Sequence, residues 1–272
     1  MLYLHVGLHK TGTTYFQGEI FPKWRGLKYL RSYSVENFLK TDPSQVCLAS
    51  REGFSGGVVA HSDEKLAFLK RLSSMFPDAG ILISFRDHGS YLNAIYSQYL
   101  RYGGPLPLEA FFDLDRDDGY MKRKDLAFRN YVEGIADYWG RPPFVFLLEE
   151  LKSDRERLFR EMGAFLGVNS CNFDDVSSKR RNISLGGTQA ELLRKINHWC
   201  GVRLHHDGST RPYRLLRRIG MDPPSLCQRW SELNLGKPII TAHERQVINA
   251  AYAADWDYLK YCAESRMQNC RT

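Results

Sequence analysis

Residues 4 to 17, Leu-His-Val-Gly-Leu-His-Lys-Thr-Gly-Thr-Thr-Tyr-Phe-Gln, hold the chain's densest set of groups able to bind an anion. An apolar run with β character, Leu2 to Val6, stops at Gly7. A lysine follows inside a turn of small residues, and two threonines open a helical segment. Backbone N–H groups at such a turn and helix start point outward and bind anionic oxygens. Lys10 adds a full positive charge, and Thr13 and Thr14 bring hydroxyl donors to the same spot. Together these residues spell a phosphate cradle.

The order of the residues narrows the chemistry. The nucleoside-triphosphate loop reads G-x-x-x-x-G-K-[ST], with lysine and hydroxyl adjacent so that the hydroxyl reaches a magnesium ion. Gly7 and Gly12 have the matching separation, but Thr13 stands where that lysine belongs, and Lys10 comes before Gly12. A nucleotide or sugar kinase with a variant loop is one alternative for this chain, but the adjacent pair it would want is absent.

A second cluster follows another apolar run: Ser84-Phe-Arg-Asp-His88, then Asn93-Ala-Ile-Tyr-Ser-Gln-Tyr99. An arginine at a strand end can fork onto a phosphate with two hydrogen bonds, which singles out Arg86. Groups able to take a proton from a hydroxyl stand at Glu52, His61, His88 and His9. His9 lies within the loop and suits shaping it.

His9-Lys-Thr-Gly-Thr-Thr14 resembles the 5′-phosphosulfate loop of the sulfotransferases that use 3′-phosphoadenosine 5′-phosphosulfate (PAPS). Phe144-Val-Phe-Leu-Leu-Glu-Glu-Leu-Lys-Ser-Asp154 looks like that family's strand and E-x-L turn, followed by a helix ending Phe165-Leu-Gly-Val168, and Ser178 to Leu185 is similar to a segment of its bacterial carbohydrate-type members. The resemblance covers most of the chain. It implies a P-loop-like, three-layer α/β/α fold with a mainly parallel sheet, and transfer of a sulfuryl group from PAPS to a hydroxyl of a carbohydrate or glycolipid. The product nucleotide would be adenosine 3′,5′-bisphosphate (PAP).

The same resemblance distributes roles. His9, Lys10, Thr11, Gly12, Thr13 and Thr14 would hold the 5′-phosphate, with Lys10 assisting departure of the nucleotide. Arg86 and a serine eight residues on would hold the 3′-phosphate, but that position is Ala94. Ser97, one helical turn further, or Ser90 is the substitute. Arg180 and Arg181 would cover the adenosine phosphates. Ser50-Arg-Glu52 looks like the family's Ser-x-Glu turn, so Glu52 is the first candidate base, with His61 behind it. No metal is needed, because Lys10 supplies the positive charge.

These residues need elements to position them. Apolar runs at Leu2–Val6, Val46–Ala49, Ile81–Phe85 and Phe144–Leu148 read as strands, and Val58–Ala60 as a shorter one. Helical spacing covers 64–76, 91–102, 125–139 and 154–166, and 186–272 carries no strand signal. Continuous apolar strands alternating with amphipathic helices imply a parallel sheet covered on both faces. Ligands gather at the carboxyl ends of such strands, so the turns 8–14, 50–56, 86–90 and 149–152 should converge.

Composition bounds the remainder. A 43% apolar, 25% charged chain of 272 residues suits one globular domain, with 1–185 as the α/β core and 186–272 as a helical part over the acceptor side. A net charge of +7 calls for an anionic partner, and a nucleotide suffices. No zinc-finger, RNP or helix-turn-helix signature supports nucleic acid. Arg211 to Ile219, with Arg214, Arg217 and Arg218 beside Leu215 and Leu216, also suits a membrane surface or a non-catalytic nucleotide-binding module. Dispersed cysteines without a C-x-x-C pair, and no secretory signal or membrane span, point to a cytoplasmic protein with reduced thiols.

Overall fold

A computed structural model describes residues 1–30, 42, 44–168, 185–200, 218, 224, 227 and 238–266. Strands β1 (Leu2–His5), β2 (Leu27–Leu30), β3 (Val46–Ser50), β4 (Gly80–Phe85) and β5 (Phe144–Leu147) form one sheet in the order β2-β3-β1-β4-β5. Every pairing is parallel. Helices are α1 (Thr13–Tyr15), α2 (Ser62–Met75), α3 (His88–Arg101), α4 (Leu108–Phe111), α5 (Arg129–Trp139), α6 (Glu150–Ser153), α7 (Arg155–Leu166), α8 (Gly187–Trp199), α9 (Ala242–Ala251) and α10 (Ala253–Ser265). None is long and apolar enough, among the described residues, to cross a membrane.

Two compact units divide the chain. The first takes the described residues of 1–87, 127–168 and 252–266 and contains the whole sheet. In the second, made from 88–126 and the described residues of 185–251, α3 packs against α8 and α9.

Register sets which side chains share a face of the sheet. His5 pairs with Ser50 on β3 and Leu82 on β4, and Ser84 pairs with Phe146 on β5. Side chains alternate along a strand, so Tyr3, His5, Leu48, Ser50, Leu82, Ser84, Phe144 and Phe146 point to one side. There α1 continues as a π-turn (Phe16–Ile20) and a 3-10 turn (Phe21–Lys23). Phe16, Ile20, Phe21 and Trp24 from this run, with Leu158, Phe159, Met162 and Leu166 of α7, close an apolar cluster over the sheet. The other face offers Leu4, Ala49, Ile83, Phe85, Val145 and Leu147, all buried. Phe85 meets Phe128, the residue before α5, at 5.3 Å between ring centres.

The connections leave neighbouring strands in different directions. From β1 the chain crosses to β2 through the α1 run, while from β3 it passes to the far side of β1 through α2. A right-handed crossover in one direction along a sheet covers one face, and in the reverse direction the other. The chain therefore splits at the carboxyl ends of β1 and β3, which is where parallel sheets hold ligands.

Three local expectations change. Leu27–Leu30 is a strand that the apolar pattern misses. It is short, carries Lys28 and lies at an edge, where β3 alone pairs with it among the described residues. Residues 58–60 form a turn, not a strand, with Ala60 N–H donating to Gly57 O at 3.2 Å. Helix α5 starts at Arg129, later than the spacing suggests, because Asp255 accepts the Phe128 and Arg129 N–H groups at 3.2 and 2.9 Å.

Arg266, fully enclosed, ties the end of α10 to the β5 region. Its Nε donates to Glu161 at 2.8 Å, and its Nη1 donates to Glu150 at 2.9 Å and to Val145 O at 3.2 Å. Removing one partner of a buried pair leaves the other charges uncompensated. Arg266→Met should therefore cost about 3 kcal/mol in urea denaturation. A loss below about 1 kcal/mol, the range of exposed pairs, would show that these carboxylates reach water instead.

Candidate functional site

The loop between β1 and α1 is constrained at each of its turns. A Cβ at Gly7 would stand 2.6 Å from Thr13 Oγ1 and 3.1 Å from the His5 ring, so only glycine lets these groups approach. Lys10 adopts a left-handed backbone with φ 69°. That conformation costs a residue with a Cβ roughly 1–3 kcal/mol and concentrates at ligand-binding positions. Gly12, at φ 89°, is the N-cap of α1, and its carbonyl accepts the Tyr15 and Phe16 N–H groups. No side chain caps this start, and the first N–H groups of a helix have no partner within it. The Thr13 hydroxyl is fully buried and has no hydrogen-bond partner among the described residues. An unmet buried hydroxyl costs about 1–3 kcal/mol. An anionic oxygen seated in the loop would satisfy it, so these residues fit a phosphate or sulfate group.

Beneath the loop runs a line of polar side chains. Thr11 Oγ1 donates to Leu8 O at 2.6 Å and lies 2.7 Å from Ser84 Oγ. Ser84 Oγ is 3.5 Å from His5 Nε2, and His5 Nδ1 is 2.7 Å from Ser50 Oγ. Gln17 Nε2 donates to Ser50 O at 2.9 Å and to Ser50 Oγ at 3.2 Å. Burial lowers the His5 imidazole to about 3, against a smaller upward pull from Glu52.

Glu52 links the β3 turn to the loop. His9 Nδ1 lies 3.1 Å from Glu52 Oε2, and His9 Nε2 lies 3.0 Å from Gly56 O. Carboxylate and carbonyl oxygens both accept, so His9 meets an acceptor at each ring nitrogen. Ser55 adds a hydrogen bond to Gly7 O at 3.2 Å. Burial raises the Glu52 carboxyl, but the hydrogen bond and charge of His9, with the charge of Lys10, hold it below its ordinary value.

Glu149 stands at the end of β5 and opposes Glu52 in character. Its Oε1 accepts the Asp87 N–H at 3.1 Å, and its Oε2 is buried without a partner among the described residues. Burial raises this carboxyl, with the Asp87 hydrogen bond and the Arg86 charge pulling it down less strongly. Arg86, the first residue after β4, is therefore close enough for its charge to act on Glu149.

The first unit thus brings His9, Lys10, Thr11, Gly12, Thr13, Thr14, Glu52 and Arg86 to the carboxyl ends of its strands. His61 is the N-cap residue of α2, at the end of the turn that begins with Glu52. Ser90, Ala94 and Ser97 are buried along α3 in the second unit, and His88 opens that helix. Arg180, Arg181 and Arg211 to Arg217 lie outside the described residues, and Arg218 is exposed. His5, Ser84, Gln17 and Glu149 join the site without having been singled out from the sequence. For His5, Ser84 and Glu149 the signal was a polar residue inside or just after an apolar strand, whereas Gln17 lies within the helical run and had no such signal.

No family model matches the chain, and no curated protein matches it. Among solved structures, the chain is similar to a sulfotransferase from Alicyclobacillus acidocaldarius, at 15% identity and a TM-score of 0.48, covering 66% of this chain and 86% of that one.

His5 and Glu52 both have values depressed by folding. Their contributions are complete above the unfolded values, 6.5 and 4.5, and are lost as the pH falls below them. Glu149 is raised, so its contribution runs the other way and fades as pH rises. The His5 share should reach about 2–3 kcal/mol between neutrality and about pH 4.5. Urea titrations at both pH values should show this loss, and His5→Phe should flatten it. An unchanged slope in the variant would mean that His5 takes up a proton in the folded protein.

Proposed function

We propose that this protein is a sulfotransferase that moves the sulfuryl group of PAPS to an acceptor hydroxyl. The observation that carries the reading is the loop, in which the left-handed Lys10 and the unmet, buried Thr13 hydroxyl meet a helix start that no side chain caps. The family resemblance of His9–Thr14 supplies the identity of the anion. A carbohydrate or glycolipid hydroxyl is the proposed acceptor, on that resemblance alone.

PAPS supplies the sulfuryl group, whose S–O bond to the 5′-phosphate breaks as the acceptor oxygen bonds to sulfur. Lys10 and the amides of 11–14 stabilise the charge that develops on the departing phosphate oxygen. Arg86 binds the 3′-phosphate. Glu52 takes the proton from the acceptor hydroxyl. One of its oxygens, Oε2, is engaged by His9, and Oε1 is left for that proton. Its depressed value keeps it ionised near neutrality and makes it a weaker base than an ordinary carboxylate. Glu52 is preferred to His61 because it is bonded to the loop itself.

Each role has its own signature in calorimetry and turnover. Lys10→Ala should lower turnover more than PAP affinity, because the lysine acts on charge that grows during transfer. Arg86→Ala should weaken PAP binding about 10–100-fold, the worth of a charge-assisted contact, and leave adenosine 5′-phosphate binding nearly unchanged. Equal affinity of the unmodified protein for ATP and PAP would overturn the donor assignment.

Glu52→Gln keeps an acceptor for His9 and removes the base. It should reduce turnover about 10²-fold, the low end for general bases, at similar PAP affinity. Near-normal turnover in this variant, beside an inactive His61→Ala, would move the role to His61.

A further inference from the structure

The line of side chains under the loop has only one self-consistent arrangement of hydrogens. A carbonyl can only accept, so the single hydroxyl hydrogen of Thr11 goes to Leu8 O, at 2.6 Å. Thr11 Oγ1 must then accept from Ser84, at 2.7 Å, which spends the Ser84 hydrogen. Ser84 Oγ in turn can only accept from His5 Nε2, at 3.5 Å the longest and weakest link. At the other end, the bond to Ser50 O fixes the Gln17 amide with its nitrogen toward Ser50, so Ser50 Oγ accepts from Gln17. The Ser50 hydrogen is left for His5 Nδ1, at 2.7 Å. Each hydrogen is used, and each bond runs from Gln17 toward Leu8.

We propose that His5 is a positioning residue for the anion-binding loop, acting as a neutral imidazole with its proton on Nε2. In that form it accepts from β3 and donates to β4, and so sets the direction of the whole chain. The consequence reaches the loop through Thr11, whose hydroxyl is drawn inward to close the Leu8–Thr11 turn. A proton on Nδ1 instead would face the Ser50 hydrogen with no acceptor and leave Ser84 without a donor. A doubly protonated ring would strand the Ser50 hydrogen in the same way. The ring also fills space, 5.6 Å from Phe146 and 5.3 Å from Phe21 between centres. A phenylalanine would keep that packing and cut the chain. The inference rests on the reading that the loop binds an anion, but not on which anion.

The test separates direction from bulk. Nitrogen NMR of the unmodified protein near neutrality should show His5 neutral and protonated on Nε2. A proton on Nδ1, or on both nitrogens, would overturn the proposal and needs no variant to fold. His5→Phe should speed amide hydrogen exchange at Thr11 to Thr14 and weaken PAP binding about tenfold, the scale of one lost buried hydrogen bond. His5→Gln, which restores a donor to Ser84, should recover part of both. Ser84→Ala, which breaks the chain without touching the ring, should reproduce the His5→Phe exchange pattern. Unchanged exchange at 11–14 in both His5→Phe and Ser84→Ala would also overturn it. Should the unmodified protein fail to bind PAP, the proposed donor falls, while the tautomer and exchange measurements still decide this inference.

Discussion

The contact between His9 and Glu52 ties together two connections that the topology sends apart. After β1 the chain turns to one face of the sheet, and after β3 it turns to the other. Such a divergence opens a crevice but does not set its width. The 3.1 Å contact of His9 with Glu52 does so, helped by His9 on Gly56 O and Ser55 on Gly7 O. The Glu52 side chain is 33% exposed, and pairs with that access to water contribute roughly 0–1 kcal/mol. The value of the contact therefore lies in position more than in stability. It brings a carboxylate to the rim of a loop designed around positive charge.

Two carboxyl groups at this edge respond to their surroundings in opposite ways. Glu52 faces His9 and Lys10, and their charges outweigh the cost of burial. Glu149 has one oxygen on the Asp87 amide and the other sealed off, and burial prevails over the charge of Arg86. Environments that push two acids apart assign them different work. An ionised Glu52 can take a proton. Glu149 Oε1 holds the Asp87 amide and, with it, the end of β4.

Much of this was legible from local pattern. The strands β1, β3, β4 and β5 are apolar runs, and Lys10, Glu52 and Arg86 each follow one within a few residues. A group placed just past an inner strand has few other places to go, so its edge can be read without a structure. The residues that were missed depend on pairing across the sheet. His5 is one polar residue in an apolar run until register sets it beside Ser50 and near Ser84. Glu149 gains meaning from an amide far away in the chain. Strand β2 was hidden because an edge strand needs little apolar character. The left-handed turn at Lys10 has no sequence signal, since lysine is not a residue that favours it.

A buried sheet face usually excludes polar side chains, because each unmet group costs more than a formed bond returns. Here His5, Ser50 and Ser84 sit on a face that is otherwise aromatic and aliphatic. The loop above them explains their presence. Its inward side carries the Thr11 hydroxyl, and a purely apolar floor would leave that oxygen short of a donor. The hydrogen-bonded line extends inward until every member is satisfied, and it ends at Gln17 on the helical run that the loop itself begins. The loop, three strands and the first helical turns are therefore one polar unit embedded in a hydrophobic layer. Thr13 is the exception, its hydroxyl unmet directly beside Gly7 and the His5 ring. The buried hydroxyls of Thr11, Ser50 and Ser84 are satisfied internally, and that of Thr13 is the one where we propose an outside oxygen binds.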